Sequence, residues 1–337
     1  MRMLRVFGGM LALLLLLASC SPGVTVTETR VWAYDTLCTG KVWGDRNYAD
    51  IFESAAVAGQ NLLSSDGKKQ FTASAGGDSL PMSEDLYRIL SMAQVLWEKT
   101  DGVFDLTVAP LSALWDVNSA SAPPSAEAIA ETLSNVGWDK VTLTEESLIF
   151  SAAGMGIDIG SVGKGYGADQ TVAALKKEGA DAGVISFGGN VVTFGQKEGG
   201  LFRIGIRDPK QNEGGTLGVL TITDASVVTS GAYERFFEYE GEVYHHLLDA
   251  TTGYPRQSDL LSVTVVSSDG AQADLMSTAL WLMGAEKGWQ LYQTLCRTEG
   301  FSPAEVIFVL QDGTVRISDG LKDSFALSAA GYRMEAP

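Results

Sequence analysis

The chain has 337 residues, of which 45% are hydrophobic and 19% are charged. This composition excludes an intrinsically disordered chain, because disorder requires low hydrophobicity together with high net charge. Asp and Glu outnumber Lys and Arg by 41 to 24, so the formal net charge is −17. A chain this acidic is a poor match to the basic surface that nucleic-acid backbones require, and we expect no nucleic-acid partner.

The first twenty residues have the pattern of a secretory signal. Two arginines precede an apolar run over residues 11–17, which is too short to span a membrane comfortably. The run ends in Leu-Ala-Ser-Cys at Cys20, which resembles a bacterial lipobox, in which the Cys is lipidated and becomes the first residue. An ordinary signal peptide with a chance Cys is the alternative. We predict a lipoprotein signal peptide over 1–19 and an extracytoplasmic protein anchored to a bacterial membrane by Cys20.

Beyond Cys20 the sequence predicts a polar tether over residues 20–30 and one compact α+β domain over 31–337, since no composition break or internal repeat divides it. Ser83 and Ser125 are good N-caps. Apolar residues at helical spacing predict helices at 47–63, 83–99, 165–177 and 271–291. Short β-type runs separated by glycine predict strands at 31–42, 183–187, 202–206 and 260–267. Polar, Gly-rich or Pro-rich stretches predict loops at 64–77 and 118–125.

A glycine-rich segment over residues 154–169 predicts a short strand, a tight turn and then a helix. In this geometry backbone N–H groups and a helix N-terminus can bind an anion. The segment matches neither a Walker A loop nor the G-x-G-x-x-G dinucleotide fingerprint. A structural turn that needs glycine for close packing is the alternative, and Lys164 favours the anion. A second glycine pair at 188–189 indicates either another close backbone approach or a hairpin turn.

Three oxygen-bearing side chains lie near the start of the last predicted helix. Asp274, Ser277 and Thr278 are spaced i, i+3 and i+4, which places them on one helix face. Hard oxygen ligands of this kind suit Mg²⁺, which completes its coordination with substrate phosphate and water. The alternative is that Asp274 only complements the dipole of its helix.

The chain has two histidines, which are neighbours, and two cysteines beyond Cys20. In an extended segment His245 and His246 point to opposite faces, so only one can share a given site and metal binding by the pair is disfavoured. A purely structural role for both is the alternative. Cys38 and Cys296 are too far apart in sequence to indicate a disulfide framework, and we predict two free thiols while a bridge stays open.

Six motifs, taken in this order, resemble those of the ApbE family of flavin transferases, which move FMN from FAD onto a Thr or Ser hydroxyl of an acceptor protein. They are DGVFDLTVAPL at 101–111, DIGSVGKGYGAD at 158–169, SFGGN at 186–190, TSGAYERFF at 229–237, HLLDATTGYP at 246–255 and ADLMSTAL at 273–280. The resemblance covers most of the chain. It implies an α+β fold built on a T-fold-like core.

The resemblance also implies roles for individual residues. Residues that match the family's FAD contacts are Val103, Phe104, Asp105, Asp158, Lys164 and Leu248. Residues that match its Mg²⁺ site are Ser161, Asp274, Ser277 and Thr278. Catalytic roles fall on His246, as a general base or positioning group, and on Lys164, which would neutralise charge on the phosphoryl oxygens. Two departures stand out: Tyr34-Asp35-Thr36 replaces the Met-Gly-Thr of many relatives, and Ser277 stands where some carry Asp.

The expected activity is therefore Mg²⁺-dependent transfer of FMN from FAD to an acceptor protein, with AMP as the leaving group. The resemblance implies an acceptor threonine in a D-G-x-[ST]-G-[AS]-T context on a membrane electron-transfer subunit. Two alternatives remain open. The first is a FAD pyrophosphatase that yields FMN and AMP, and the second is a non-catalytic, extracytoplasmic flavin-binding lipoprotein.

Overall fold

The computed structural model describes residues 24–63, 70–211 and 214–335, so the predicted signal peptide and Cys20 lie outside the described residues. The four predicted helices are confirmed, and two short ones are added. The helices are α1 (Ala49–Leu63), α2 (Glu84–Lys99), α3 (Ala109–Trp115), α4 (Ala126–Leu133), α5 (Gly163–Lys177) and α6 (Gly270–Leu295). Ser83 and Ser125 cap α2 and α4 through their side chains, as predicted. None of the described helices has the length and apolar character needed to cross a membrane.

A nine-stranded sheet organises the fold. In their order across the sheet, its strands are β1 (Thr25–Ala33), β2 (Thr36–Gly44), β8 (Ala182–Phe187), β9 (Asn190–Gly195), β12 (Ala225–Gly231), β15 (Leu260–Ser267), β16 (Ala304–Leu310), β17 (Thr314–Ile317) and β19 (Arg333–Met334). Neighbouring strands are antiparallel except for β17 and β19. The predicted α+β class is confirmed.

The remaining strands form smaller sheets. One has three strands, β10 (Phe202–Arg207), β11 (Thr216–Ile222) and β18 (Phe325–Leu327), with β10 at one edge. The others are β3 (Gln70–Thr72) with β7 (Gly156–Asp158), β4 (Ser79–Pro81) with β6 (Ser147–Phe150) and β5 (Val141–Leu143), and β13 (Phe236–Tyr239) with β14 (Glu242–His245). The β3 strand lies within the stretch predicted as a loop, because it pairs with β7, which is distant in sequence.

Two layers cover the main sheet. Helices α1 and α5 pack on the inner face of β2, β8 and β9, and α6 packs on the same face of β12 and β15. The three-stranded sheet packs on the opposite face, where Ile206 and Leu220 meet Val227 of β12. The buried core therefore lies on both sides of the main sheet. Cys38 is buried in β2 while Cys296 is exposed after α6, which confirms two free thiols.

The structure differs from the sequence prediction at the start of the domain. Strand β1 begins at Thr25, so residues 25–30 are strand and not tether. Their Thr-rich polarity suggested a linker, but they pair in continuous register with β2, and the Thr27 side chain is buried. The Gly188–Gly189 pair forms the two-residue turn between β8 and β9, as the hairpin interpretation predicted.

Two glycines are required by the geometry of α5 and α6. A side chain at Gly165 would place its Cβ 2.0 Å from the Gly270 carbonyl oxygen, so glycine lets the two helices approach. At Gly284 the backbone leaves helical geometry, with φ 75° and ψ −179°, and α6 is kinked there. Asp259 Oδ1 accepts a hydrogen bond from the Ala285 N–H at 2.9 Å, so it caps the second part of the helix.

Candidate active site

The start of α5 lies at the centre of the site. Asp158 Oδ1 accepts the Gly160 N–H at 2.7 Å and shapes the turn after β7. The N-cap residue, Val162, has no side-chain acceptor for the first N–H groups of the helix. Within the described part of the chain, the Lys164 backbone N–H has no hydrogen-bond acceptor. An uncapped N-terminus with a lysine in its first turn favours an anion, which supports the anion interpretation of the glycine-rich segment.

The start of α6 faces this turn. Asp274 Oδ2 accepts the Gly165 N–H at 2.9 Å, which ties the two helices together. Ser277 Oγ donates to the Asp274 carbonyl oxygen at 3.0 Å and lies 2.8 Å from Ser230 Oγ on β12. Thr278 Oγ1 lies 3.3 Å from the same Ser230 oxygen. Ser277 and Thr278 therefore lie at the contact between α6 and β12, whereas the Asp274 side chain lies at the contact between α6 and α5.

A cavity of about 240 Å³, here called the inner cavity, lies between α3, α5, α6 and the chain after β14. Nine of the predicted site residues line it: Phe104, Asp105, Asp158, Ser161, Lys164, His246, Leu248, Asp274 and Thr278. Val103 and Ser277 do not line it. The Val103 carbonyl instead accepts the Ala250 N–H at 3.2 Å, and Ser277 is fully buried. Most of the predicted site is thus brought together from distant parts of the chain.

A second cavity of about 990 Å³, here called the outer cavity, adjoins the first. It lies between the β1–β2 turn, the β8–β9 turn, β10 and β12. The two cavities share Asn118, Gly160, Lys164, Glu234 and Arg235. Lys164 therefore stands at the boundary of a two-chambered site. An elongated ligand with a charged centre fits this arrangement, since each chamber can take one of its ends.

Tyr34 occupies the departure noted in the sequence and lines the outer cavity. With Asp35 it forms the two-residue turn between β1 and β2, at φ values of 55° and 54°. Its ring packs against Phe187 at a centroid distance of 5.5 Å, and its hydroxyl is buried without a hydrogen-bond partner in the described part of the chain. The turn therefore presents an aromatic wall to the outer cavity.

Asp105 is 5% exposed and is held by two backbone donors. Its Oδ1 accepts the Thr107 N–H at 2.7 Å and its Oδ2 accepts the Trp138 N–H at 2.8 Å. Burial raises the pKa of Asp105 to about 6, although these hydrogen bonds oppose the rise. Both oxygens are engaged by the protein, so Asp105 fixes the wall of the inner cavity.

The two histidines point in different directions, as predicted. His246 lines the inner cavity, and its Nδ1 lies 3.2 Å from the Arg235 carbonyl oxygen. Because a carbonyl can only accept, we assign the proton to Nδ1, which leaves the lone pair on Nε2. Burial, with the nearby Arg235 charge, lowers the pKa of His246 well below its usual value, so the ring is neutral at neutral pH.

His245 lies in the protein core instead. Its ring is buried and meets Trp281 edge-on at a centroid distance of 5.3 Å. Its Nδ1 accepts the Leu247 N–H at 3.2 Å, and burial lowers its pKa to about 4. It does not line either cavity. The neighbouring histidines thus provide a matched pair, one facing the site and one facing the core.

The residues that could hold Mg²⁺ form an incomplete set by themselves. Among the described residues, no group of three or more His, Cys, Asp and Glu side chains could hold a metal ion. Asp274 contributes one carboxylate, and the Thr278 and Ser161 hydroxyls lie on the same cavity. Mg²⁺ commonly binds through one or two carboxylates and completes its coordination with phosphate and water. The donors therefore fit a Mg²⁺ ion that a phosphate ligand helps to hold, with Ser277 set back from it.

Several lining residues were not assigned roles from the sequence. Glu234 and Arg235 lie on the boundary between the cavities, and Trp115, Asn118 and Ser230 line the inner one. The segment 229–237 was identified as a motif, yet nothing in it indicated which charges would face the ligand. Their position depends on how the chain turns after β12, which is a tertiary feature.

Comparisons with known proteins identify relatives of this chain. The profile of the ApbE family matches residues 54–301. A FAD:protein FMN transferase from Treponema pallidum (strain Nichols) is 29% identical over 327 residues, which is 89% of each chain. A FAD:protein FMN transferase from Klebsiella pneumoniae (strain 342) is 32% identical over 263 residues, covering 77% of this chain and 80% of that one.

Two solved structures support the fold. The ApbE protein of Thermotoga maritima has a TM-score of 0.73 at 28% identity, covering 89% of this chain and 99% of that chain. The flavin transferase ApbE from Vibrio cholerae has the same TM-score and coverage at 22% identity, and supports the fold alone. Because the family profile spans well over half of the sequence, and the curated relatives named above are FAD:protein FMN transferases, this chain belongs to the ApbE family.

Proposed function

We propose that this protein is a Mg²⁺-dependent FAD:protein FMN transferase, which moves FMN from FAD to a Thr or Ser hydroxyl of an acceptor protein and releases AMP. The two-chambered site carries the proposal, since Lys164 and the uncapped start of α5 lie where its chambers meet. A dinucleotide has this form, with two bulky ends joined by a pyrophosphate. The activity named for the Treponema and Klebsiella relatives supports the same reaction.

The chemical step needs a base next to the acceptor hydroxyl. The hydroxyl oxygen attacks the FMN-side phosphorus of FAD, the bond from that phosphorus to the bridging oxygen breaks, and AMP leaves. Nε2 of His246 accepts the hydroxyl proton, because the ring is neutral and Nδ1 already carries its proton toward the Arg235 carbonyl. That same contact fixes the plane of the imidazole ring.

Charge is the second requirement, since a pyrophosphate must enter a protein of net charge −17. Lys164 and the first turn of α5 supply positive potential on the boundary between the cavities. Asp274, Thr278 and Ser161 are the residues that would hold Mg²⁺, which when bound supplies further neutralisation of the phosphoryl oxygens. The protein's own residues thus orient FAD and accept the proton.

The acceptor and the location extend this proposal. We infer an acceptor threonine in a D-G-x-[ST]-G-[AS]-T context on a membrane electron-transfer subunit, as the family resemblance implies. The sequence that ends at Cys20 supports an extracytoplasmic lipoprotein, in which a lipid anchor keeps the enzyme at the membrane.

The deciding experiment incubates the full-length protein with FAD, Mg²⁺ and a soluble acceptor domain that carries this threonine motif. Intact mass of the acceptor and assay of AMP are the two readouts. An FMN adduct that disappears in EDTA, and on an acceptor whose target threonine is alanine, supports the transferase. AMP without an adduct favours the FAD pyrophosphatase. FAD that stays intact favours the non-catalytic flavin-binding protein.

A further inference from the structure

The outer layer of the fold ends in an open strand edge. In the three-stranded sheet β10 pairs with β11 on one side, and no described strand pairs with its other edge. Phe202 and Ile204 of β10 pack on Ala182 of β8, and the Phe202 ring meets Trp43 at the far end of β2, so the small sheet reaches β2 only at that end. In an antiparallel strand, N–H and C=O groups alternate in direction. Half of the six β10 residues therefore direct their backbone groups to this open edge.

The strands beside that edge have an outer face that is exposed near the β1–β2 turn. On β1 and β2, Trp32 and Leu37 are directly paired, and they are 68% and 46% exposed. An exposed tryptophan next to an exposed leucine is unusual on a surface that meets only water. The exposed part of the outer face of β1 and β2, together with the edge of β10, thus forms a step.

A groove of about 660 Å³ runs along this step and leads to the active site. It shares Val191, Ile204 and Gly205 with the outer cavity. The outer cavity in turn shares Lys164 and Arg235 with the inner cavity, where His246 lies. A continuous path therefore connects an open strand edge on the surface to the proposed base.

The charge of the groove is opposite to that of the protein. Arg30, Lys41 and Arg203 line it, against the single carboxylate of Glu28, which pairs with Lys41 at 2.7 Å. The chain as a whole carries a net charge of −17. A locally positive groove on an acidic protein attracts an acidic partner segment and disfavours a second copy of this chain.

We propose that the acceptor protein binds in this groove as an extended, acidic segment that adds a strand to β10. This inference rests on the proposed function, because the occupant is the protein whose hydroxyl is flavinylated. Main-chain hydrogen bonds to β10 would supply affinity independent of the side-chain sequence, as in other cases of strand addition. A strand at the usual spacing of about 4.8 Å from β10 would lie over the outer face of β2. It would cover Leu37 and Trp32 and direct the chain toward Arg235.

A charge reversal tests the groove by kinetics. Arg203→Glu changes an exposed groove residue that lines neither the inner nor the outer cavity, and Arg297→Glu makes the same change at an exposed residue just after α6. With the acceptor domain described above, we expect Arg203→Glu to raise the KM for the acceptor at least tenfold, with kcat and the Kd for FAD unchanged. The control should match the wild type. If both variants transfer FMN with equal KM values for the acceptor, the docking site is wrong, while the proposed function still stands.

Hydrogen exchange tests strand addition directly. The acceptor domain with its target threonine replaced by alanine is added to the full-length protein, so that no transfer occurs. We expect slower amide exchange over 202–207, while β1, which is also an edge strand, serves as the control edge. Protection confined to β1, or absent from β10, would contradict the proposal. A wild type that transfers no FMN to the unmodified acceptor would overturn the proposed function, and this inference with it.

Discussion

The N-termini of α5 and α6 lie side by side, but their first backbone N–H groups are capped differently. At the start of α6, Asp269 accepts the Gln272 N–H at 2.9 Å, and Asp169 of α5 accepts the Gly270 N–H at 2.7 Å. At the start of α5, Val162 provides no side-chain acceptor. The Gly163 N–H donates to the Ile159 carbonyl and the Gly165 N–H to Asp274, while the Lys164 N–H has no acceptor among the described residues. Each helix thus lends a carboxylate to the other, but only α6 is fully capped.

This difference separates structure from function. The start of α6 carries two carboxylates, Asp169 and Asp269, so it would repel a phosphate, and Arg88 pairs with Asp269 at 2.6 Å. The start of α5 carries Lys164 and opens onto both cavities. The N-terminal dipole of α6 is therefore used to stabilise the fold, whereas that of α5 is available to an anionic substrate. The comparison predicts that Asp274 and Asp169 respond differently to the same substitution.

The largest expected effect is on Asp274. Asp274→Asn keeps an oxygen that can accept the Gly165 N–H but loses the negative charge that would hold Mg²⁺. We expect FMN transfer to fall by at least about 1,000-fold, since a bound metal supplies several kcal/mol of transition-state stabilisation. The matched variant Asp169→Asn should stay within about threefold of the wild type, because Asp169 lines neither cavity. An unchanged Mg²⁺ titration for Asp274→Asn would remove Asp274 from the metal site.

The histidine pair gives the next effect. His246→Ala should lower kcat by about 100-fold or more through loss of general-base catalysis, whereas His245→Ala should affect mainly stability. The wild-type profile of kcat against pH should show no loss from His246 protonation between pH 8 and 6, since the pKa of this ring lies well below its usual value. Equal rates for the two alanine variants would exclude His246 from the reaction.

A smaller effect is expected from the lysine on the cavity boundary. Lys164→Gln removes one positive charge beside the pyrophosphate and should weaken FAD binding about tenfold, which corresponds to about 1.4 kcal/mol. Lys177→Gln makes the same change at the far, exposed end of α5. Titration of FAD fluorescence measures both. A normal Kd for Lys164→Gln would place the phosphates away from the start of α5.

The smallest expected effect is at Asp169, which caps the start of α6, and it concerns stability alone. Burial, together with the neighbouring charge of Asp269, raises the pKa of Asp169 to about 7, above the value for an unfolded chain. The folded state therefore binds more protons, and the stabilisation present at low pH is lost as pH rises toward 7. Urea unfolding at pH 5 to 8 should show the wild type losing stability relative to Asp169→Asn. A parallel pH dependence for the two proteins would refute this assignment.

Local signals were sufficient for much of the fold. The serine caps of α2 and α4 and the limits of β15 follow from short patterns, because each depends on neighbouring residues. The start of β1 did not, since a Thr-rich stretch becomes a strand only when β2 pairs with it. Long-range pairing decided that segment, and propensity alone favoured a linker.

The residues of the inner cavity were predicted more completely than those on the boundary between the two cavities. Nine of the residues that the family resemblance implies line the inner cavity, whereas Val103 and the fully buried Ser277 do not. Glu234 and Arg235 reach the site because the chain bends after β12. The step beside β10 depends on where one sheet stops covering another, which no single segment encodes.

The kink in α6 has a consequence for how sequence variation in this protein is interpreted. Gly284 adopts a backbone conformation open to glycine alone, and a Cβ there would lie 2.9 Å from Asp259 Oδ1. Inherited replacements at this codon would thus strain the helix that carries Asp274, although Gly284 lines neither the inner nor the outer cavity. A survey that ranks positions by distance from the substrate would score Gly284 as tolerant, whereas its mutational behaviour should resemble that of the site itself.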